Sequence, residues 1–139
     1  MSEATEGVVS VVIVDDSSSI RAALTSLLET VPMTKVVGEA VDGVEGVEVV
    51  LELRPDVVVM DMQMPNLYGI SAARQILEAW PSAQILMNSA YTDESLVAEA
   101  NSYGVKGYLS KDLRPAKLVR AIVALGQLAQ HGDAPVAVV

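Results

Sequence analysis

Two periods of hydrophobicity alternate along the chain. Residues 8–14 are almost continuously apolar and rich in β-branched side chains, and they end in Asp15-Asp16. A run without polar alternation predicts a strand buried on both faces. Ser17-Ser18-Ser19 then offers N-cap hydroxyls, and Ile20, Ala23, Leu24, Leu27 and Leu28 follow at i, i+3, i+4, i+7 and i+8, the stripe of an amphipathic helix. Residues 36–40 predict a second strand, and Asp42-Gly43 turns the chain. Val44, Val47 and Leu51 mark a helix of weak propensity, since it carries several valines and Gly46. Pro55 stops that helix, and residues 57–60 form the third strand. Pro65 and Gly69 bracket a loop, after which Ile70, Ala73, Ile76 and Leu77 give a helical stripe ending near Trp80-Pro81. Residues 84–88 predict a fourth strand, followed by a polar turn and a thinly apolar helix around Leu96, Val97 and Ala100. A short fifth strand, Gly107-Tyr108-Leu109, precedes a last helix with Pro115 in its first turn and Leu118, Val119, Ile122, Val123 and Leu125 as its stripe.

Five strand–helix units in series predict an α/β fold, a single doubly wound parallel sheet with right-handed crossovers and helices on both faces. The expected boundaries are an N-terminal tail over 1–7, one domain over 8–128, and a tail or linker over 129–139 around His131-Gly132-Asp133-Ala134-Pro135.

Composition narrows the picture. A chain of 139 residues with 51% hydrophobic and 19% charged residues suits one globular domain with a single core. The net charge of −9 argues against a nucleic-acid surface. Five of the nine basic residues nevertheless fall between Lys106 and Arg120, so one edge can be locally positive. There is no cysteine, which removes disulfides, thiolate metal sites and thiol nucleophiles. The acidic start, Met1-Ser2-Glu3-Ala4-Thr5-Glu6, is unlike an export signal, and no stretch reaches the ~20 apolar residues of a membrane span. A cytoplasmic location without membrane partners is expected.

Chemistry gathers where the strands end. In an open parallel sheet, ligands bind outside the carboxyl ends of the strands. Asp15 and Asp16 follow the first strand, Asp61 the third, Ser89 the fourth and Lys111 the fifth. If the first and third strands are neighbours, three carboxylates converge on one crevice and call for a cation. Mg²⁺, which is satisfied by a few carboxylates plus water and phosphate oxygens, suits the set better than a Ca²⁺ cage of six to eight ligands. Taken singly, each residue has a plainer reading. Asp16 could cap the first helix, Asp61 could be a turn residue, Ser89 could be structural, Lys111 could be a solvated charge and Tyr108 a packing residue. Convergence on one sheet edge favours the functional reading for the Asp, Ser and Lys residues. It says nothing about the basic stripe Arg114, Lys117 and Arg120, which by default is a solvated helix face.

The segments Val14-Asp15-Asp16-Ser17, Asp61-Met62-Gln63-Met64-Pro65, Gly69, Asn88-Ser89-Ala90 and Gly107-Tyr108-Leu109-Ser110-Lys111-Asp112, in this order, resemble the receiver domain of two-component response regulators, of the chemotaxis-regulator type. The resemblance covers roughly 8–128. It implies a flavodoxin-like sheet of order 2-1-3-4-5 and a phosphoacceptor, Asp61, served by a histidine kinase or phosphotransfer protein. It implies Mg²⁺ held by Asp16, Asp61 and the backbone carbonyl of Gln63, with Asp15 helping, partly through water. Ser89 would hydrogen-bond the phosphoryl oxygen and Lys111 would pair with it. Ser89 and Tyr108 would switch a surface made of the fourth helix, fifth strand and fifth helix, open to a second receiver or a downstream protein. Gln63 and Tyr91 would flank the path of the hydrolytic water. Such a domain is not an enzyme in its own right; it promotes only its own phosphorylation and dephosphorylation.

The chain departs from the commonest pattern in two places. Ser89 stands where threonine is frequent, which keeps the hydroxyl. Asp112 follows the lysine where many receivers have proline in a cis bond; before a non-proline residue that geometry costs about 2.5–4 kcal/mol. A Lys-Asp pair at this point is similar to receivers fused to helix-turn-helix domains, so both a stand-alone receiver and a piece of a longer regulator fit. Other classes fit less well. A haloacid-dehalogenase-type phosphatase wants an acid where Gln63 stands, and it wants a cap domain. A scaffold receiver that is never phosphorylated usually lacks an acid or the lysine, and a dinucleotide-binding domain needs a glycine fingerprint after the first strand.

Overall fold

The computed structural model describes residues 7–90, 93–111 and 114–131. Five strands, β1 (Val9–Val14), β2 (Thr34–Ala40), β3 (Val57–Met60), β4 (Ile85–Ser89) and β5 (Gly107–Ser110), alternate with five helices. These are α1 (Ser18–Glu29), α2 (Gly43–Leu53), α3 (Gly69–Ala79), α4 (Glu94–Tyr103) and α5 (Pro115–His131). The strands pair in the order β2-β1-β3-β4-β5 and every pairing is parallel. This is the flavodoxin-like, doubly wound arrangement.

The continuous apolar runs are explained by what covers each face. Successive strand residues point to opposite sides, and both sides here are core. Val9, Val11, Ile13, Val57, Val59 and Leu86 pack with Leu28, Leu118, Ile122 and Leu125 of α1 and α5. Val12, Val14, Val58, Met60, Ile85 and Met87 face the other layer, with Val50, Ile76 and Ala100 of α2, α3 and α4. A polar residue at any of these positions would lose its water without gaining a partner.

Element ends differ from the periodic reading by small amounts. β2 begins at Thr34, two residues before the predicted start, because the Thr34 hydroxyl donates to the Leu28 carbonyl at 2.8 Å and ties the strand to the end of α1. α5 runs through His131, past the expected boundary at 128, and the Gln130 side-chain amide donates to the Val8 carbonyl at 2.8 Å. That tie fastens the last helical turn to the start of β1. Among the described residues, no helix is long and apolar enough to cross a membrane.

Candidate functional site

Register alone brings the carboxylates together. Val14 and Met60 are opposite each other at the ends of β1 and β3, and the Asp61 N–H donates to the Val14 carbonyl at 2.8 Å. Ser89 pairs with Ser110 at the ends of β4 and β5, and the Lys111 N–H donates to the Ser89 carbonyl at 2.8 Å. Asp15, Asp61, Ser89 and Lys111 therefore leave the sheet side by side at one edge. Carboxylate oxygens of Asp15, Asp16 and Asp61 all lie within 4.8 Å of one another, a set that could hold a metal ion.

The three acids are not equivalent. Asp15 and Asp61 are buried and Asp16 is exposed. Asp15 Oδ1 accepts from the Ser17 N–H at 2.9 Å, which turns the chain sharply after β1. The cap of α1 is Ser17, whose hydroxyl accepts from the Ile20 N–H at 3.3 Å. Asp16 thus does not cap the helix. Gln63 is exposed two residues beyond Asp61.

Lys111 reaches over from β5 and joins the acids. Its Nζ lies 2.9 Å from Asp61 Oδ1 and 3.1 Å from Asp15 Oδ2. Burial pulls its ammonium down, but the hydrogen bonds to Asp61 and Asp15 together outweigh burial and hold it above its ordinary value of 10.5. Asp61 shows the opposite balance. Burial pushes its carboxyl up, Lys111 opposes this, the charge of Asp15 adds to it, and the result lies above 3.8. One lysine does not neutralise three carboxylates. Two charges 4.8 Å apart still repel by about 3 kcal/mol at an effective dielectric of ~20.

Ser89 is fully buried at the end of β4. Tyr108, on the neighbouring strand, is half-buried with its ring against the α2–α4 layer, and its hydroxyl is enclosed with no hydrogen-bond partner among the described residues. The basic stripe Lys106, Arg114, Lys117 and Arg120 is exposed throughout, as a solvated face would be. Tyr91 and Asp112 lie outside the described residues.

Sequence reasoning passed over two supports of the site. The Arg21 guanidinium donates to the Asp15 carbonyl at 2.8 Å and to Glu39 Oε1 at 3.1 Å, bracing the turn after β1. The Asn66 amide donates to Asp42 Oδ2 at 2.8 Å, bracing the loop after β3. Only Asn66 carried a local signal, since asparagine tolerates the left-handed backbone it adopts at φ 71°. The Arg21–Glu39 and Asn66–Asp42 ties join residues distant in sequence.

Residues 11–123 match the family model of the response regulator receiver domain. The chain is 38% identical over 112 residues to chemotaxis protein CheY of Thermotoga maritima, covering 81% of this chain and 92% of that one. It is 35% identical over 117 residues to transcriptional regulatory protein LnrK of Bacillus subtilis, covering 84% of this chain and 53% of the relative. It thus spans about half the length of that regulator. A crystal structure of a two-component response regulator of the LuxR family from an Aurantimonas species superposes with a TM-score of 0.83 at 32% identity, covering 94% of this chain and 90% of that one. With the carboxylates, the hydroxyl and the lysine gathered at the strand ends, the chain belongs to the family of response regulator receiver domains.

Proposed function

We propose that Asp61 accepts a phosphoryl group from a histidine kinase or phosphotransfer protein, and that the modified domain acts as a switch. The observation carrying this reading is Lys111 Nζ held 2.9 Å from Asp61 Oδ1 beside two further carboxylates. A buried nucleophilic acid is there matched with a fixed cation and with the makings of a metal site. Phosphoryl transfer needs positioning and charge neutralisation more than covalent help. An Asp61 oxygen attacks the phosphorus in line, the phosphorus–nitrogen bond of the donor phosphohistidine breaks, and its electron pair stays on the imidazole, which takes up a proton. Asp16, Asp61 and the Gln63 backbone carbonyl would hold Mg²⁺, with Asp15 assisting, partly through water. Bound there, the cation would offset the charge of the acids and of the phosphoryl oxygens.

Lys111 then exchanges its bond to Asp61 for one to the phosphoryl group, and Ser89 turns its hydroxyl to another phosphoryl oxygen. Movement of Ser89 leaves space that the neighbouring Tyr108 ring can take. This biases the α4–β5–α5 surface, where Lys106, Arg114, Lys117 and Arg120 would meet an acidic partner or a second receiver. Gln63 and Tyr91 would set the lifetime by flanking the water opposite Asp61. The domain works as a signal transducer in the cytoplasm, where kinases draw on ATP.

Incubation of the full chain with acetyl phosphate and Mg²⁺, followed by intact-mass measurement, should show one added phosphoryl group. Chelation and Asp61→Asn should each abolish it. Label retained in Asp61→Asn would overturn the assignment.

A further inference from the structure

The loop that leaves β3 with Asp61 and Gln63 is tied at its middle to a different element. Asn66 Nδ2 donates to Asp42 Oδ2 at 2.8 Å. Asp42 is the N-cap of α2, and its other oxygen, Oδ1, accepts from the Glu45 N–H at 2.8 Å. One carboxylate therefore starts a helix and grips a loop 24 residues away. The contact is close on the backbone side as well. Gly43 rests on the Leu67 carbonyl and Cβ so tightly that a side chain on Gly43 would overlap both.

Asn66 occupies an uncommon backbone position, one that asparagine tolerates better than most residues. Its φ of 71° puts it in the left-handed region, at the centre of a turn closed by the Leu67 N–H on the Pro65 carbonyl at 2.8 Å. Residues held there persist because their surroundings over-determine them, and the bond to Asp42 joins the Gly43–Leu67 contact and the Leu67–Pro65 bond in doing so. Only residues 61–68 separate β3 from α3. Met62 and Met64 are anchored in the core, and the exposed residues beside them, Pro65 and Gln63, form the short path from Asn66 back to Asp61.

We propose that Asp42 and Asn66 form a clasp that positions the Gln63 carbonyl and Asp61 for a divalent cation, so that the N-terminus of α2 tunes cation affinity without touching the site. This rests on the proposed reading of Asp16, Asp61 and the Gln63 carbonyl as cation ligands, with Asp15 assisting. Asp42 and Asn66 are positioning residues.

The test is calorimetric titration of the full chain with Mg²⁺, repeated with Mn²⁺ by water-proton relaxation. Asn66→Gly keeps the backbone freedom and leaves the Asp42–Glu45 cap intact while deleting the grip. It should weaken cation binding about three- to tenfold. Asp42→Ala should do the same, and the double variant should be no weaker than Asn66→Gly alone, because both remove one interaction. Asp42→Asn should stay within about twofold of wild type, since a reoriented Asn66 amide can present its oxygen to the new amide. A purely structural role would lower the melting temperature of Asn66→Gly and leave its cation affinity unchanged; that result, or additive single effects, overturns the clasp. Absence of Mg²⁺ or Mn²⁺ uptake by the wild-type chain overturns the site reading and the clasp with it.

Discussion

The backbone carbonyl of Asp61 lies against the Cα of Gly69, in the space where any other residue would carry its Cβ. The Gly69 N–H donates to the Met62 carbonyl at 2.7 Å, so the first residue of α3 closes the loop that begins with the candidate phosphoacceptor. Alanine would ordinarily help a helix by up to ~1 kcal/mol over glycine. Here overlap with a backbone atom decides the sign, because neither carbonyl nor helix can move without disturbing the sheet edge. Gly69→Ala should destabilise the fold by about 1–3 kcal/mol, seen as a lower denaturant midpoint, and should lower the yield of phosphorylated protein. Unchanged stability would mean that the loop yields freely.

Asp61 has a carboxyl raised above its ordinary value, chiefly by burial. A group whose folded value is raised contributes stability at pH below its unfolded value and loses it as pH rises through the folded one. At neutral pH the ionised Asp61 is therefore a burden on the unmodified fold. Asp61→Asn should be more stable than wild type at pH 7, by about 0.5–2 kcal/mol, and the gain should shrink as pH falls toward 4. Thermal unfolding across that range checks the sign; a less stable Asp61→Asn at pH 7 would contradict it.

Asp42 behaves in the reverse sense. Hydrogen bonds from the Glu45 N–H and then from the Asn66 amide hold its carboxyl below the ordinary 3.8. Its contribution is present above the unfolded value and is lost as pH falls through the lowered one. Asp42→Asn should thus show a shallower loss of stability below pH 4 than wild type. Parallel acid limbs in the two proteins would show that the carboxylate charge adds nothing.

Tyr108 carries an enclosed hydroxyl without a partner among the described residues, and a buried unpaired hydroxyl costs about 1–3 kcal/mol. Tyr108→Phe should stabilise the unphosphorylated domain by about 1 kcal/mol. If the ring follows Ser89 in the switch, Ser89→Ala and Lys111→Ala should still take up phosphate detectably yet lose phosphorylation-dependent association, measured by hydrodynamic size. Full association of phosphorylated Lys111→Ala would sever the proposed link.

Lifetime is expected to depend on Tyr91, which stands two residues beyond the hydroxyl of Ser89 as Gln63 stands two beyond Asp61. On the proposed reading, a large side chain there would obstruct the in-line water. Tyr91→Ala should release phosphate faster by about tenfold, or ~1.4 kcal/mol in the barrier. Equal decay rates for wild type and Tyr91→Ala in Mg²⁺ would reject the obstruction by Tyr91.

The alternation of strands and helices was legible in the sequence because it is local. A run such as Val57-Val58-Val59-Met60 can be apolar throughout only if both faces are covered, and a stripe such as Ile20, Ala23, Leu24 and Leu27 has one helical solution. The candidate acids were legible for the same reason, since each directly follows an apolar run. The strand order came from family resemblance, and parallel β1–β3 register then turned two sequence positions into one crevice. Tertiary structure alone decided the remainder. It buried Asp15 and left Asp16 in water, gave Lys111 to Asp61 and Asp15 jointly, raised the Asp61 carboxyl, and joined Asn66 to Asp42. Each depends on distances between segments that share no local pattern. Periodicity tells which face a residue occupies, whereas charge balance and hydrogen-bond partners depend on what the folded chain brings opposite it.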